Sequence, residues 1–454
     1  MAQFMVVLDF TIVNVALPSI QAGLHVATST LQWTVSAYAV AFGGFLLLGG
    51  RLADVAGRAK VYRIGLVVFV VASISGGLAV EPALLIGSRV VQGIGAAMLA
   101  PAGLSLLVTS YAEGEERSHA LGVYGAIVST GFAAGAVLGG VLVQATWRLV
   151  FFVNAPIGAA LLVSSWRLLP PDPPRRESRV DFPGALTVTA GVAIVVFAVT
   201  RAGDTLSVAE PALFGAAGIV LLAAFVVVER TARSPLLDLA LFRDRGILGA
   251  NLCLIGLGAF NAGEVLLIAL YLQQGRHLSP VLTGLCFVPQ AVGAFLLSGP
   301  ASNLVPGLGP RRGLAVAMTV ALVALTGGAL AVATGSLVAL LASLLLLGVA
   351  ARLTQVAATL AGTSGPVAAR SEGTASALLT ATRQCGSALG VAVVSAALVA
   401  VHGSVAHRTA VGMFVAAGFA LFSLVATRVI RRGASPVEKA KPEHRFTHQC
   451  GGVA

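Results

Sequence analysis

Charge is what this sequence has least of. Only 10% of its 454 residues are Asp, Glu, Lys or Arg, against about 25% in an ordinary soluble protein. A soluble chain of this length would fold as roughly three domains, each needing a charged shell, and this one cannot supply it. Cysteine is also sparse. Cys253, Cys286, Cys385 and Cys450 form no CxxC pair and no ligand spacing, which excludes a disulfide framework and a metal site. HExxH, GxSxG and Walker loops are absent, so the chemistry of zinc proteases, serine hydrolases and ATP-driven pumps lacks its residues. An enzyme is therefore not expected. A soluble effector domain, as a sensor would need, has no room after Arg432. Met1 to Phe4 offers no basic start for a cleavable signal.

Hydrocarbon fills the chain instead. Hydrophobic residues make up 57%, and the mean hydropathy is +0.93. Apolar runs fall at roughly 2–24, 31–50, 61–80, 83–111, 119–145, 149–169, 182–200, 212–228, 246–273, 281–305, 313–334, 336–363, 374–401 and 409–430. A helix needs about 20 apolar residues to cross the hydrocarbon core. The runs are continuous, which excludes the alternation of a membrane barrel, and helices satisfy their own backbone within lipid. The expected fold is an all-α polytopic membrane protein with fourteen transmembrane helices.

The spacing divides the chain into a first six-helix half (1–169), a Pro-rich and charged linker (170–181) and two extra helices (182–230). A second linker (231–245), a second six-helix half (246–430) and a basic tail (431–454) complete it. A faint repeat supports paired halves, a transporter architecture: GRLADVAGRAK at 50–60 and ASNLVPGLGPRR at 301–312 each follow the second helix of a half. With the N-terminus inside, 22 of the 29 Lys and Arg face the cytoplasm, four face outward and three lie within helices. That asymmetry sets both termini on the cytoplasmic side. The net charge of +11 is then a topological signal facing anionic lipid, with no nucleic-acid or nucleotide partner.

Ionisable groups within a bilayer are functional candidates by default. Asp9 and Glu264 are the two acidic residues well inside apolar runs. A carboxyl group taken out of water is favoured in its neutral form, so it can carry a proton and release it to water or a cation. The alternative for each is a fixed structural ion pair. Arg89 lies inside the fourth run with Gln92 one turn on; it can hold a carboxylate anionic until a proton competes, or else extend to the headgroups. Arg352 and Arg383 sit nearer helix ends and are candidate gate residues. Asn14, Tyr38, Gln92 and Asn261 are candidates for a polar substrate cavity. In the fifth run Gly131, Gly135 and Gly139 recur every fourth residue, with Gly122 and Gly140 nearby, a smooth face for close helix packing.

Together these strings resemble the major facilitator superfamily, in its fourteen-helix drug:proton antiporter branch. The loop GGRLADVAGRAK is similar to the superfamily's signature, with Gly50, Asp54, Gly57, Arg58 and Lys60 in its glycine, acidic and basic positions. The resemblance implies that these residues latch the cytoplasmic ends of the halves. LDFTIVNVALPSI and Arg89-Val-Val-Gln92-Gly93 look like the branch's motifs in its first and fourth helices, the latter tied to proton movement. The glycine run is similar to the antiporter motif, and WRLVFFVNAPIG and ASALLTATRQCGSALGVAV also look like this branch. The resemblance covers residues 1 to about 430. Ala136 replaces the motif's proline and removes its bend, and Pro306 stands where the first half has Asp54. Members usually have more chain before the first motif.

The resemblance implies a multidrug efflux transporter: a secondary active, proton-coupled exporter of drugs or other amphipathic or cationic compounds. The expected coupling residues are Asp9, Arg89 and Glu264. The alternative is export of one endogenous metabolite or antibiotic. The excess of Arg over Lys, with abundant Ala, Val and Gly, suggests a high-GC bacterium and its cytoplasmic membrane. A monomer is expected, partnered by substrate, protons and lipid, with no cofactor beyond the proton gradient.

Overall fold

The structure is a computed structural model that describes residues 1–111, 115–169, 181–204, 209–232, 235–237, 239–363 and 372–430. Most of the 170–181 linker, parts of the second linker and the tail 431–454 lie outside the described residues. All regular structure among those described is helical. The first half contains α1 (Ala2–Leu24), the short α2 (Thr28–Leu31), α3 (Trp33–Ala56), α4 (Arg58–Gly77), α5 (Pro82–Ser110), α6 (Glu115–Ala145), α7 (Leu149–Phe152) and α8 (Asn154–Leu168). Next come α9 (Phe182–Asp204) and α10 (Ala209–Thr231). The second half contains α11 (Arg245–Leu270), α12 (Pro280–Cys286), α13 (Val288–Leu296), α14 (Pro300–Leu308), α15 (Pro310–Thr334), α16 (Leu337–Thr363), α17 (Glu372–Ala400) and α18 (Val405–Ala426).

Polar residues start several of these helices where the apolar runs begin. The side chains of Asp244, Ser279 and Ser404 accept from the backbone N–H groups of Gly246, Leu282 and His407, satisfying donors that a first turn leaves unpaired. Among the described residues, twelve helical segments are long and apolar enough to cross a membrane. The expected fourteen is not reached by that measure. The two runs that fall short are shorter apolar helices, Thr130–Ala145 within α6 and Pro280–Leu296. The second has a visible cause: the 281–305 run breaks into α12, α13 and α14, each with proline in its opening turn, and Pro306 lies within α14. Proline suits a first turn and removes a hydrogen bond anywhere later.

The faint sequence repeat has a backbone counterpart. Gly57 joins α3 to α4 at φ 104°, ψ 134°, and Gly309 joins α14 to α15 at φ 77°, ψ 153°. A side chain is strained in either conformation, so both turns call for glycine.

In the first half α3 and α4 pack on α5, and α1 packs on α6; in the second α13 and α15 pack on α16, and α11 on α17. The halves meet along two outer seams, α3 with α17 and α6 with α12 and α13, and α1 also packs on α11 between them. At the end of the bundle away from Met1, Gln273 donates to the Val15 carbonyl at 3.0 Å and Gln274 to Gln21 at 3.1 Å. Both glutamines sit in a π-helical turn (Tyr271–Gly275) that continues α11. The pair α9–α10 lies outside these seams. α9 packs on both α3 and α17, with Ala39, Val40, Val196, Ala388 and Ala392 in one buried cluster.

Candidate functional site

The middle of the first half is held by a polar network with no access to solvent. Asp9, Arg89, Gln92, Asn154 and Tyr38 are all 0% exposed. Arg89 Nη1 donates to Asp9 Oδ2 at 2.6 Å and to Gln92 Oε1 at 2.7 Å. Gln92 Nε2 donates to Asp9 Oδ1 at 2.7 Å, as does Asn154 Nδ2. Asn154 also donates to Ser73 Oγ at 3.0 Å, and Ser73 in turn to the Phe151 carbonyl at 2.8 Å. Arg89 Nε reaches the Thr34 carbonyl at 2.8 Å, and its guanidinium lies 4.3 Å from the centre of the Tyr38 ring. The network therefore ties α1, α3, α4, α5 and α8 through one carboxylate and one guanidinium.

Local sequence makes this approach possible. Arg89 and Gln92 are three residues apart on α5, hence neighbours on one helix face. At the next position, a methyl on Gly93 would come within 2.6 Å of the Tyr38 carbonyl oxygen. Only a glycine lets α5 lie this close to α3. The glycines of α6 do the same between α6 and α1: methyls on Gly131 and Gly135 would lie 3.1 and 2.8 Å from the Phe4 and Leu8 carbonyl oxygens, and one on Gly139 would lie 3.0 Å from the Ile12 side chain. Gly140 instead faces the second half, at Pro280 and Val281 of α12. The side-chain surroundings of Gly122 lie outside those described. Ala136, in place of the motif proline, is buried against Gly284 of α12.

The second half carries a simpler site. Glu264 of α11 is 0% exposed and accepts one hydrogen bond, from Gln290 Nε2 of α13 at 2.7 Å. Glu264 Oε2 and Gln290 Oε1 are buried without a partner, as is Thr283 Oγ of α12. The remaining candidates stand apart from both sites. Asn14 is fully buried and donates to the Phe10 carbonyl of its own helix, while Asn261 is half-buried. Asp54 pairs with Arg58 at 3.7 Å, four residues on within the same turn, with both side chains partly exposed; Gly50 faces Pro101, and Lys60 is exposed. Arg352 donates weakly to the Ser298 carbonyl at 3.4 Å. Arg383 is half-buried and interacts electrostatically with Tyr124 of α6, in the other half.

Asn154, Ser73 and Gln290 were not singled out from the sequence. The signal was present for two of them: Asn154 and Gln290 are amides inside apolar runs, where a neutral polar group also needs a partner. A search restricted to formal charges passes over them.

Residues 1–391 match the Major Facilitator Superfamily. The chain is 38% identical over 456 residues to a puromycin resistance protein of Streptomyces alboniger, covering 94% of this chain and 88% of that one. It is 34% identical over 402 residues to a multidrug resistance protein of Mycobacterium tuberculosis, covering 87% and 74%. In fold it is similar to a bacterial homologue of the human lysosomal transporter Spinster in an inward-facing, occupied conformation. That likeness has a TM-score of 0.64 at 16% identity and covers 94% and 93% of the two chains.

Proposed function

This chain belongs to the Major Facilitator Superfamily, and from that premise we propose that it is a proton-coupled exporter of small amphipathic or cationic compounds. It is a polytopic membrane transporter whose relatives include antibiotic and multidrug resistance proteins. The observation that carries the proposal is the buried Asp9–Arg89 ion pair, joined across α1 and α5 at 2.6 Å.

Proton coupling follows from what that pair does when it changes charge. With Asp9 ionised, Arg89, Gln92 and Asn154 all hold its two oxygens. Protonation removes the ion pair and one acceptor position, which frees α1 to shift relative to α5. Arg89 stays charged throughout and keeps its contacts with Thr34, Gln92 and the Tyr38 ring. Substrate and proton compete: protonation from outside favours release, and loss of the proton inside restores affinity. Each ligand shifts the two states only by its differential affinity for them. In this scheme Glu264 is a second protonation site or a partner for cationic substrate. Asn14, Tyr38, Gln92 and Asn261 are cavity residues, and Arg352 and Arg383 gate the cytoplasmic side. Gly50, Asp54, Gly57, Arg58 and Lys60 form the latch, and Gly131, Gly135 and Gly139 carry α1 against α6.

The chain crosses a bacterial plasma membrane fourteen times, α6 and the broken α12–α14 unit completing the twelve long spans. Residues 1–169 and 246–430 form the moving halves, 182–230 the added pair, and both termini lie in the cytoplasm. The protein acts as a monomer and draws on the proton gradient without a cofactor. A second reading, export of one antibiotic, is favoured by the relative named for puromycin alone.

Everted membrane vesicles with an acid interior test the proposal. Substrate-dependent proton release from wild type, absent in Asp9→Asn, is expected. Release from both proteins would remove Asp9 from coupling, and release with one compound only from a broad panel would select the second reading.

A further inference from the structure

Two further carboxylates are buried outside both halves, at the Met1 end of the added pair. Asp181 immediately precedes α9 and Glu229 lies in the last turn of α10; they are 8% and 4% exposed. Each has one oxygen held by backbone. Gly184 N–H donates to Asp181 Oδ1 at 2.9 Å, capping α9, and Leu237 N–H donates to Glu229 Oε2 at 3.2 Å. The other oxygens, Asp181 Oδ2 and Glu229 Oε1, are buried without a partner. Both approach one spot: a methyl on Gly184 would lie 2.7 Å from Asp181 Oδ2 and 2.8 Å from Glu229 Oε1. The two free oxygens are therefore no farther apart than those distances laid end to end, across a notch that glycine leaves open.

The walls around this notch bring no opposite charge. α3 packs Leu48 and Leu52 with Ala185 and Leu236, and α11 and α17 pack Ile247, Ala375 and Leu378 with Leu237. The charge that acts on Glu229 is that of Asp181, and among the described residues no Lys or Arg makes an ion pair with either. Two ionised carboxylates this close, and out of water, disfavour each other, and buried acceptors without donors require a reason. One proton removes both faults. Carried as O–H by either group, it donates across the notch to the free oxygen of the other, and a single negative charge remains beside the positive end of α9. We infer that Asp181 and Glu229 form a proton-binding site in which the two carboxylates share one proton. The proton is taken from water and belongs to the pair, not to one residue. It joins the start of α9 to the end of α10 and, through Leu237, to the second half. The site is separate from Asp9 and Glu264, and its chemistry holds whatever the chain transports.

Infrared spectra of purified full-length protein at neutral pH test the inference. An amide at either position is itself a donor, so the carboxylate left beside it ionises. Asp181→Asn and Glu229→Gln should each lose one protonated-carboxyl band per molecule, with the ionised-carboxylate signal unchanged. If the single variants do not fold, judged by their unfolding in detergent, the double variant Asp181→Asn/Glu229→Gln decides, and it should lose one band of each kind. Raising the pH removes the shared proton and sets two charges against each other. Wild-type unfolding temperature should therefore fall more steeply towards alkaline pH than that of the double variant. Loss of ionised-carboxylate signal alone from any of these variants, or equal pH slopes, would overturn the inference. So would an unfolding temperature raised by sodium or magnesium at constant ionic strength in wild type but not in the double variant, since a metal ion would then fill the notch.

Discussion

Asp9 and Glu264 are both carboxylates with no exposed surface, one in the opening helix of each half, yet their surroundings are opposite. Asp9 accepts from Arg89, Gln92 and Asn154, and its charge is matched by a guanidinium. Glu264 accepts from Gln290 alone and has a free oxygen. The difference separates two tasks. An ion-paired carboxylate with both oxygens engaged ties five helices together, although Arg89 Nη2, Asn154 Oδ1 and the Tyr38 hydroxyl of the same cluster are buried without a partner. An unsaturated carboxylate has valence left for a ligand. Paired halves with similar packing therefore carry unlike chemistry at their centres.

The comparison breaks first at Asp9. Asp9→Asn leaves Arg89 charged and buried without its counter-ion, and removing one partner of a buried pair destabilises by about 3–5 kcal/mol. Thermal unfolding in detergent should show that loss, and it should shrink in the double variant Asp9→Asn/Arg89→Leu. A single variant as stable as wild type would mean that the pair is not closed in solution. Next comes Asn154→Ala, which deprives an ionised carboxylate of one donor and should lower stability by about 1.5–3 kcal/mol. The same variant should weaken substrate-driven proton release in vesicles without abolishing it. Glu264→Gln should be milder, at about 0.5–1.5 kcal/mol, because the amide still accepts from Gln290. If it proved as damaging as Asp9→Asn, the two halves would not differ as described. Smallest is Ser73→Ala, at about 0.6 kcal/mol, the average for a hydrogen bond between membrane helices. Unfolding measured alongside Asn154→Ala checks it, since the two effects should not add when one hydrogen bond joins the residues.

Helix content was legible because hydrocarbon imposes it, and the runs at 2–24, 182–200 and 313–334 are close to α1, α9 and α15. The break of the 281–305 run was less so. Pro280, Pro289, Pro300 and Pro306 are plain in the sequence, but hydropathy averages over them while backbone hydrogen bonding does not. The pairing of Asp9 with Arg89 could be suggested because charges in an apolar run are rare and need each other. Its distance could not, since 80 residues separate them. Asn154 joins the same carboxylate and Ser73 accepts from Asn154, both from helices whose rotation hydropathy does not fix. Asn14 shows the limit in the other direction: polar and inside the first run, it bonds its own helix and reaches neither site.

The pair α9–α10 gives the bundle a front and a back. α9 runs along the α3–α17 seam from Gly44, which meets Thr189, to Gln32, which donates to Thr200. A compound dissolved among lipid tails meets a third helix on that side, and on the other only the junction of α6 with α12 and α13. The α3–α17 seam is thereby covered by a helix that belongs to neither half, and α9 is bound to both halves at once, with Val196 packed between Ala39 and Val40 of one and Ala388 and Ala392 of the other.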